Sequence, residues 1–182
     1  MQIVGTSVNS CEKAMDWARL KGATDVHIGL AAFYWSLAPA TTVSAEIAYC
    51  QASKETGFGH FGGVIDASYN NPCGLKNHNG GSNDDPNAHH RFSSWQEGIQ
   101  AHLDHLALYA GVAGYPRMGS PDPRAFSSVY GAATTVESLG GHWAPSPTYG
   151  TDIVTLVADL SGFLPLRDRI QKALEILNSL IA

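Results

Sequence analysis

The sequence predicts an α+β domain, mostly α, in which helices enclose one core and a small β-hairpin lobe flanks it. Three observations carry this. Apolar residues recur at helical spacing through the first and last thirds of the chain. The middle is rich in Gly, Asn and Pro, with turn chemistry at almost every step of residues 57–95. And 182 residues, of which 44% are hydrophobic, suit a single domain able to bury roughly 70% of its unfolded surface.

Taken in order, the first helix spans residues 10–21, with Ser10 as its N-cap and Cys11, Ala14, Met15, Ala18 and Leu20 at helical spacing. Residues 26–38 form a second, apolar helix that Pro39 stops. A third, residues 44–56, starts at Ser44 with Glu46 favourably placed in its first turn. It is apolar on most sides, so it belongs at the centre of the domain, and Gly57 supplies its C′ residue. Within the Gly/Asn-rich middle, Cys73–Lys76 and Arg91–Ser93 are expected as short strands around a polar loop. Helical period returns at residues 96–110, with Ile99, Leu103, Leu106 and Ala110 on one face. A weaker helix is expected at 127–139, a loop at 140–150, and a further helix at 151–160. Residues 164–182 close the chain as an amphipathic helix. Its stripe of Leu166, Ile170, Ala173, Leu174, Leu177, Leu180 and Ile181 is expected to pack on the domain, leaving a monomer.

Sixteen acidic against eleven basic residues give a net charge of −5. With no Lys/Arg run to track a phosphate backbone, nucleic acid is excluded as a partner. No apolar stretch approaches the ~18 residues of a membrane span, and the first residues lack the basic start and apolar run of a signal peptide. Three cysteines, Cys11, Cys50 and Cys73, are an odd and widely spaced set, read as free thiols.

Glu55, in A-S-K-E-T-G-F-G, has the strongest chemical signal. A carboxyl group in the last turn of a buried helix faces the negative end of the macrodipole, and Phe58 can supply an apolar wall; both raise its pKa. A carboxylic acid kept protonated near neutrality is what a glycosidic leaving oxygen requires as a proton donor.

The words around Glu55 resemble the glucosaminidase family of peptidoglycan hydrolases. A-x-x-Q-A-S-K-E-T-G-F-G (48–59) is similar to that family's helix bearing the catalytic Glu, and N-N-P-C-G-L-K (70–76) to its strand entry. R-F-S-S-W-Q-E-G-I-Q-A-H-L-D-H (91–105) and W-A-P-S-P-T-Y-G (143–150) follow in the family's order and spacing, so the resemblance covers about residues 40–160. It implies a lysozyme-like helical core and no cofactor. The substrate it implies is the glycan strand of bacterial peptidoglycan, cut at the β-1,4 bond after N-acetylglucosamine. Residues 1–162 would be the catalytic domain and 163–182 an appended helix.

By the resemblance, Glu55 is the general acid, and Phe58, Asn70, Asn71, Trp143 and Tyr149 lie along the substrate groove. Glu97 falls at the family's helix start, where a capping role three residues after Ser94 is expected. Trp143 stands where many members carry Tyr, so no phenolic proton is available there. The family's second carboxylate comes from the hairpin loop, which makes Asp84 and Asp85 the candidates for a base. Attack by the substrate's own N-acetyl group is the other route. A lytic transglycosylase needs the same acid on the same core, and a non-catalytic wall-binding module needs only the groove. Without an export signal, the chain fits a phage endolysin or a domain excised from a secreted autolysin. A zinc site built from His102, His105 and the other histidines is the competing idea, but H-L-D-H lacks the Glu base of H-E-x-x-H, so no metal is expected.

Overall fold

The computed structural model describes residues 1–181. Among them are six α-helices: α1 (Cys11–Leu20), α2 (Asp25–Leu37), α3 (Ala45–Thr56), α4 (Trp95–Tyr109), α5 (Tyr149–Gly162) and α6 (Leu166–Ile181). The Ser10 hydroxyl accepts from Lys13 N and the Thr24 hydroxyl from His27 N, so α1 and α2 each begin on a side-chain cap. Gly57 ends α3 in the left-handed conformation, at φ 55°.

α3 is the central element. Ala45–Ser53 are all buried, and α3 packs on α2, α4 and α5, while α1 packs on α2 and α5. Trp17, Tyr34 and Tyr49 fill the centre with 1% exposure or less, each a side chain that buries roughly 150–250 Å². Glu46 is buried at the start of α3. It accepts from Asn9 N at 3.1 Å and Asn9 Nδ2 at 2.6 Å, which holds the N-terminal segment against the helix.

Three expectations are corrected. The lobe contains no β-strand: among the described residues its pairing is reduced to the antiparallel bridge Lys76↔His89. Two backbone bonds flank that bridge, His90 N→Leu75 O and Asn77 N→Ala88 O, and the fully buried Asn71 amide satisfies further groups of the two segments. Its Nδ2 donates to Leu75 O (2.8 Å) and His90 O (2.9 Å), and its Oδ1 accepts from Leu75 N (3.0 Å). The helix expected at 127–139 is two short 3₁₀ turns, Ser127–Val129 and Glu137–Leu139. Between them Gly131 takes φ 70°, and residues 134–136 are drawn into pairing with the N-terminus through Ile3 N→Thr134 O and Val136 N→Met1 O. Finally, α6 buries no residue: Ile170, Leu174, Leu177 and Leu180 are 49–76% exposed. α5 already closes the core with Ile153, Val157 and Leu160, and the extended backbone at Phe163 (ψ 132°), followed by Leu164 and Pro165, leads the chain off it.

Two histidines are sealed in this core as neutral rings. Burial lowers the His27 pKa from 6.5 to about 4 and the His102 pKa to about 3. His27 Nδ1 has no hydrogen-bond partner, so protonating it would bury an uncompensated charge. Because both folded-state values are depressed, the stability they contribute is fully present above pH 6.5. It is lost progressively as pH falls from 6.5, down to about 4 for His27 and about 3 for His102. Urea midpoints are therefore expected to drop measurably between pH 6.5 and about pH 5, above the range in which most ordinary carboxylates titrate. A flat profile over that window would contradict the neutral buried pair.

Candidate active site

Glu55 stands where the last turn of α3 meets a groove. Its own helix sets its direction, since the left-handed Gly57 ends α3 two residues later and leaves the carboxyl at the rim of the core. Two adjoining cavities share Glu55, Gly74, Asn83 and His89. One of about 420 Å³ is walled by Leu75, His105, Tyr109 and Trp143; the other, of about 180 Å³, is walled by Phe61, Ile65 and Asn71. The groove thus runs to both sides of one carboxyl group. A larger recess of about 790 Å³, lined by residues of the N-terminal segment with Trp35 and Pro39, shares no residue with it.

Glu55 is open to solvent at the groove yet crowded by protein around it. That crowding raises its pKa above 4.5; the Tyr149 hydroxyl, the Trp143 indole N–H and the neighbouring Lys54 charge pull the other way without reversing it. Tyr149, at the start of α5 and 4% exposed, donates to Glu55 Oε1. Its own phenol is held well above the usual range by burial and by the Glu55 charge. Trp143 lies against His105 with ring centroids 5.1 Å apart and against Tyr109 at 5.8 Å, so one indole borders both Glu55 and the far wall of the groove. A carboxyl acid with raised pKa, a phenol donor behind it and an aromatic wall beside it can deliver a proton and then carry the resulting charge.

The other residues expected from sequence divide. Asn71 lines the smaller cavity and holds the lobe. Asn70, left-handed at φ 50°, donates from Nδ2 to Phe92 O and shapes the turn from behind. Phe58 does not wall Glu55: at φ 58° the chain turns it onto Trp17 (5.4 Å) and His27 (6.0 Å), where it joins the core. Asp84 and Asp85 do not line the groove either, although Asn83 beside them does. Asp85 caps the 3₁₀ turn Pro86–Ala88 by accepting from Asn87 N at 2.9 Å, and Asp84 is exposed. Glu97 caps α4, accepting from Ser93 N at 2.7 Å while its own N–H donates to Ser94 Oγ.

The histidines are engaged singly. His102 pairs with Tyr34 and Gln51, His105 Nδ1 with Asp122 at 2.7 Å, and His90 Nδ1 with Asn77 Oδ1 at 2.9 Å. Among the described residues no three His, Cys, Asp or Glu side chains gather as a metal site. Cys73, fully packed beside the groove, has its thiol pushed well above 9 by burial, which removes the thiolate a nucleophile needs. The sequence reading missed Gln51 and the His105–Asp122 pair. Gln51 had a usable signal, since it lies four residues before Glu55 on the same helical face.

Asn71→Ala is expected to destabilise the fold by about 1–3 kcal/mol, because it strands buried backbone groups of Cys73, Leu75 and His90. A urea midpoint equal to that of the wild type would show that the lobe does not depend on this amide.

A family model described as mannosyl-glycoprotein endo-beta-N-acetylglucosaminidase matches residues 31–161. A protein of Borreliella burgdorferi described only as uncharacterized is 30% identical over 118 residues; the match covers 65% of this chain and 55% of that protein, so the chain spans about half the relative's length. No solved structure matches. The family match takes in α3 with Glu55, the lobe, α4 and Tyr149, and the chain belongs to the glucosaminidase family.

Proposed function

We propose that the chain is a glycoside hydrolase acting on the glycan strand of bacterial peptidoglycan, cutting the β-1,4 bond after N-acetylglucosamine on a lysozyme-like core. The observation that carries this is Glu55 itself, a carboxyl of raised pKa shared by two cavities, so that sugars bound on both sides would present an internal bond to it. Glu55 protonates the leaving oxygen. Trp143 offers a face for a sugar ring, and Asn71 shapes the smaller cavity.

Because Asp84 and Asp85 lie off the groove wall, attack by the substrate's N-acetyl group is favoured over a base from that loop. The double variant Asp84→Asn/Asp85→Asn is then expected to keep its activity within a few-fold. A loss of 10²-fold or more would restore a base in the loop. Release of soluble fragments from dye-labelled peptidoglycan separates the hydrolase from a wall-binding module. Release is expected, and tight binding to the wall without release would contradict the proposal.

A further inference from the structure

Behind Glu55 an unbranched line of hydrogen bonds crosses the core. Tyr149 Oη meets Gln51 Nε2 at 2.8 Å, Gln51 Oε1 meets His102 Nε2 at 3.1 Å, and His102 Nδ1 meets Tyr34 Oη at 2.7 Å. Gln51, His102 and Tyr34 are each 0% exposed, so none of them can touch a substrate. The line joins α3, α5, α4 and α2 at one place.

Its direction follows from donor and acceptor chemistry. An amide nitrogen only donates, so Gln51 gives to the Tyr149 oxygen, and the Tyr149 proton must go to Glu55 Oε1. The amide oxygen at the other end only accepts, so His102 carries its proton on Nε2. Nδ1 of the neutral ring is then left to accept from Tyr34. Turning the Gln51 amide over would reverse every bond together. The Tyr34 hydroxyl would then become the acceptor, with its own proton buried and pointing nowhere, since His102 is its hydrogen-bonding partner. An orphaned buried O–H costs more than an unused lone pair, so the line points outward, toward Glu55.

We propose that Tyr34, His102 and Gln51 are positioning residues that lock Tyr149 as a donor to Glu55 Oε1 and so assign the catalytic proton to Oε2. This rests on Glu55 being the acid. With Oε1 held as an acceptor, the carboxyl cannot spread its proton over both oxygens. In the acid step the proton passes from Oε2 to the glycosidic oxygen, and the C–O bonding pair leaves with that oxygen. The carboxylate left behind finds its Tyr149 donor already aligned. That preorganised donor is worth more to the ionised product than to the neutral acid, so it favours the transition state.

The direct test is the tautomer of His102, read by nitrogen NMR on the ¹⁵N-labelled wild-type protein. The neutral ring with its proton on Nε2 is expected. A proton on Nδ1 means that the line runs inward and overturns the proposal. Kinetics on soluble glycan fragments give a second readout. Gln51→Met is expected to lower kcat by about tenfold or more, the cost of a loosened acid. KM should stay within about twofold, because no substrate contact is lost. Tyr34→Phe, which removes one oxygen far from the groove, should lower kcat in the same direction by less. Wild-type kcat in a folded Gln51→Met, or a change confined to KM, overturns the positioning role. If Gln51→Met does not fold, the tautomer and Tyr34→Phe decide. Full activity of Glu55→Gln would instead remove the acid assignment, and the His102 measurement would stand apart from it.

Discussion

Glu55→Gln is expected to lower the rate of peptidoglycan cleavage by about 10²–10⁴-fold, the usual contribution of a general acid, while thermal unfolding shifts by no more than a few degrees. The amide has the shape of the acid and keeps an oxygen for the Tyr149 hydroxyl, but it has no proton to give. Stability is expected to hold because of the sign of the pKa shift. Crowding raises the folded-state value above 4.5, so the stability Glu55 contributes is fully present below the unfolded pKa. It is lost as pH rises through the raised folded value. Above that raised value the charged Glu55 is therefore a burden on the fold, and the amide relieves it. The same shift sets the activity profile of the wild type, which should fall as pH rises through the Glu55 pKa and the acid loses its proton. Wild-type turnover by a folded Glu55→Gln protein would remove the acid assignment.

The second large effect is expected at Gly98, where α4 meets the lobe. A Cβ built there would sit 1.9 Å from the carbonyl oxygen of Asn70 and 3.1 Å from Phe92 Cδ2. That carbonyl belongs to a left-handed turn residue tied to Phe92, so it has little freedom to retreat. Alanine would gain about 1 kcal/mol of helix propensity over glycine. The clash is with backbone rather than a flexible side-chain tip, and overpacking of this kind costs about 1–3 kcal/mol or more. Gly98→Ala should accordingly lower the urea midpoint and push away the lobe wall that carries Leu75 and His89, with cleavage falling alongside. Gly29→Ala in α2 is the matched control. Nothing lies within 4 Å of its Cβ, and the same change there should stabilise by roughly 0.5–1 kcal/mol. Equal effects at the two glycines would show that the close approach at Gly98 carries no energetic weight.

Most of the helical frame was legible in the sequence because it rests on local signals. Ser10, Ser44, Pro39 and Gly57 mark helix ends, and the apolar spacing between them holds to within a residue or two over α1 to α4. The position of Glu55 was legible for the same reason: it takes its place from the end of its own helix. What stayed hidden depends on contacts between distant segments. The lobe has strand-like spacing at 73–76, but its pairing with 88–90 is confined to one bridge and the Asn71 side chain satisfies part of its backbone, which sequence periodicity does not register. Residues 134–136 have weak helical spacing that pairing with Met1 and Ile3 overrides. Phe58 was expected to wall Glu55 because it follows closely in sequence, yet a left-handed residue turned it onto α1. The α6 stripe has the spacing of a packed helix, and spacing alone does not say whether a surface waits for it. The line from Tyr149 to Tyr34 joins four helices and is visible only once they are assembled.

The central claim is that Glu55 drives hydrolysis of the glycan bond on the reducing side of N-acetylglucosamine, and its most direct test is mass spectrometry of products from purified peptidoglycan. Digestion by the wild-type protein, followed by borohydride reduction, should give fragments that each carry one added water and end in reduced N-acetylglucosamine. Digestion with Glu55→Gln should give almost none. Reducing ends on N-acetylmuramic acid, anhydro ends lacking the added water, or identical products from wild type and Glu55→Gln would contradict it.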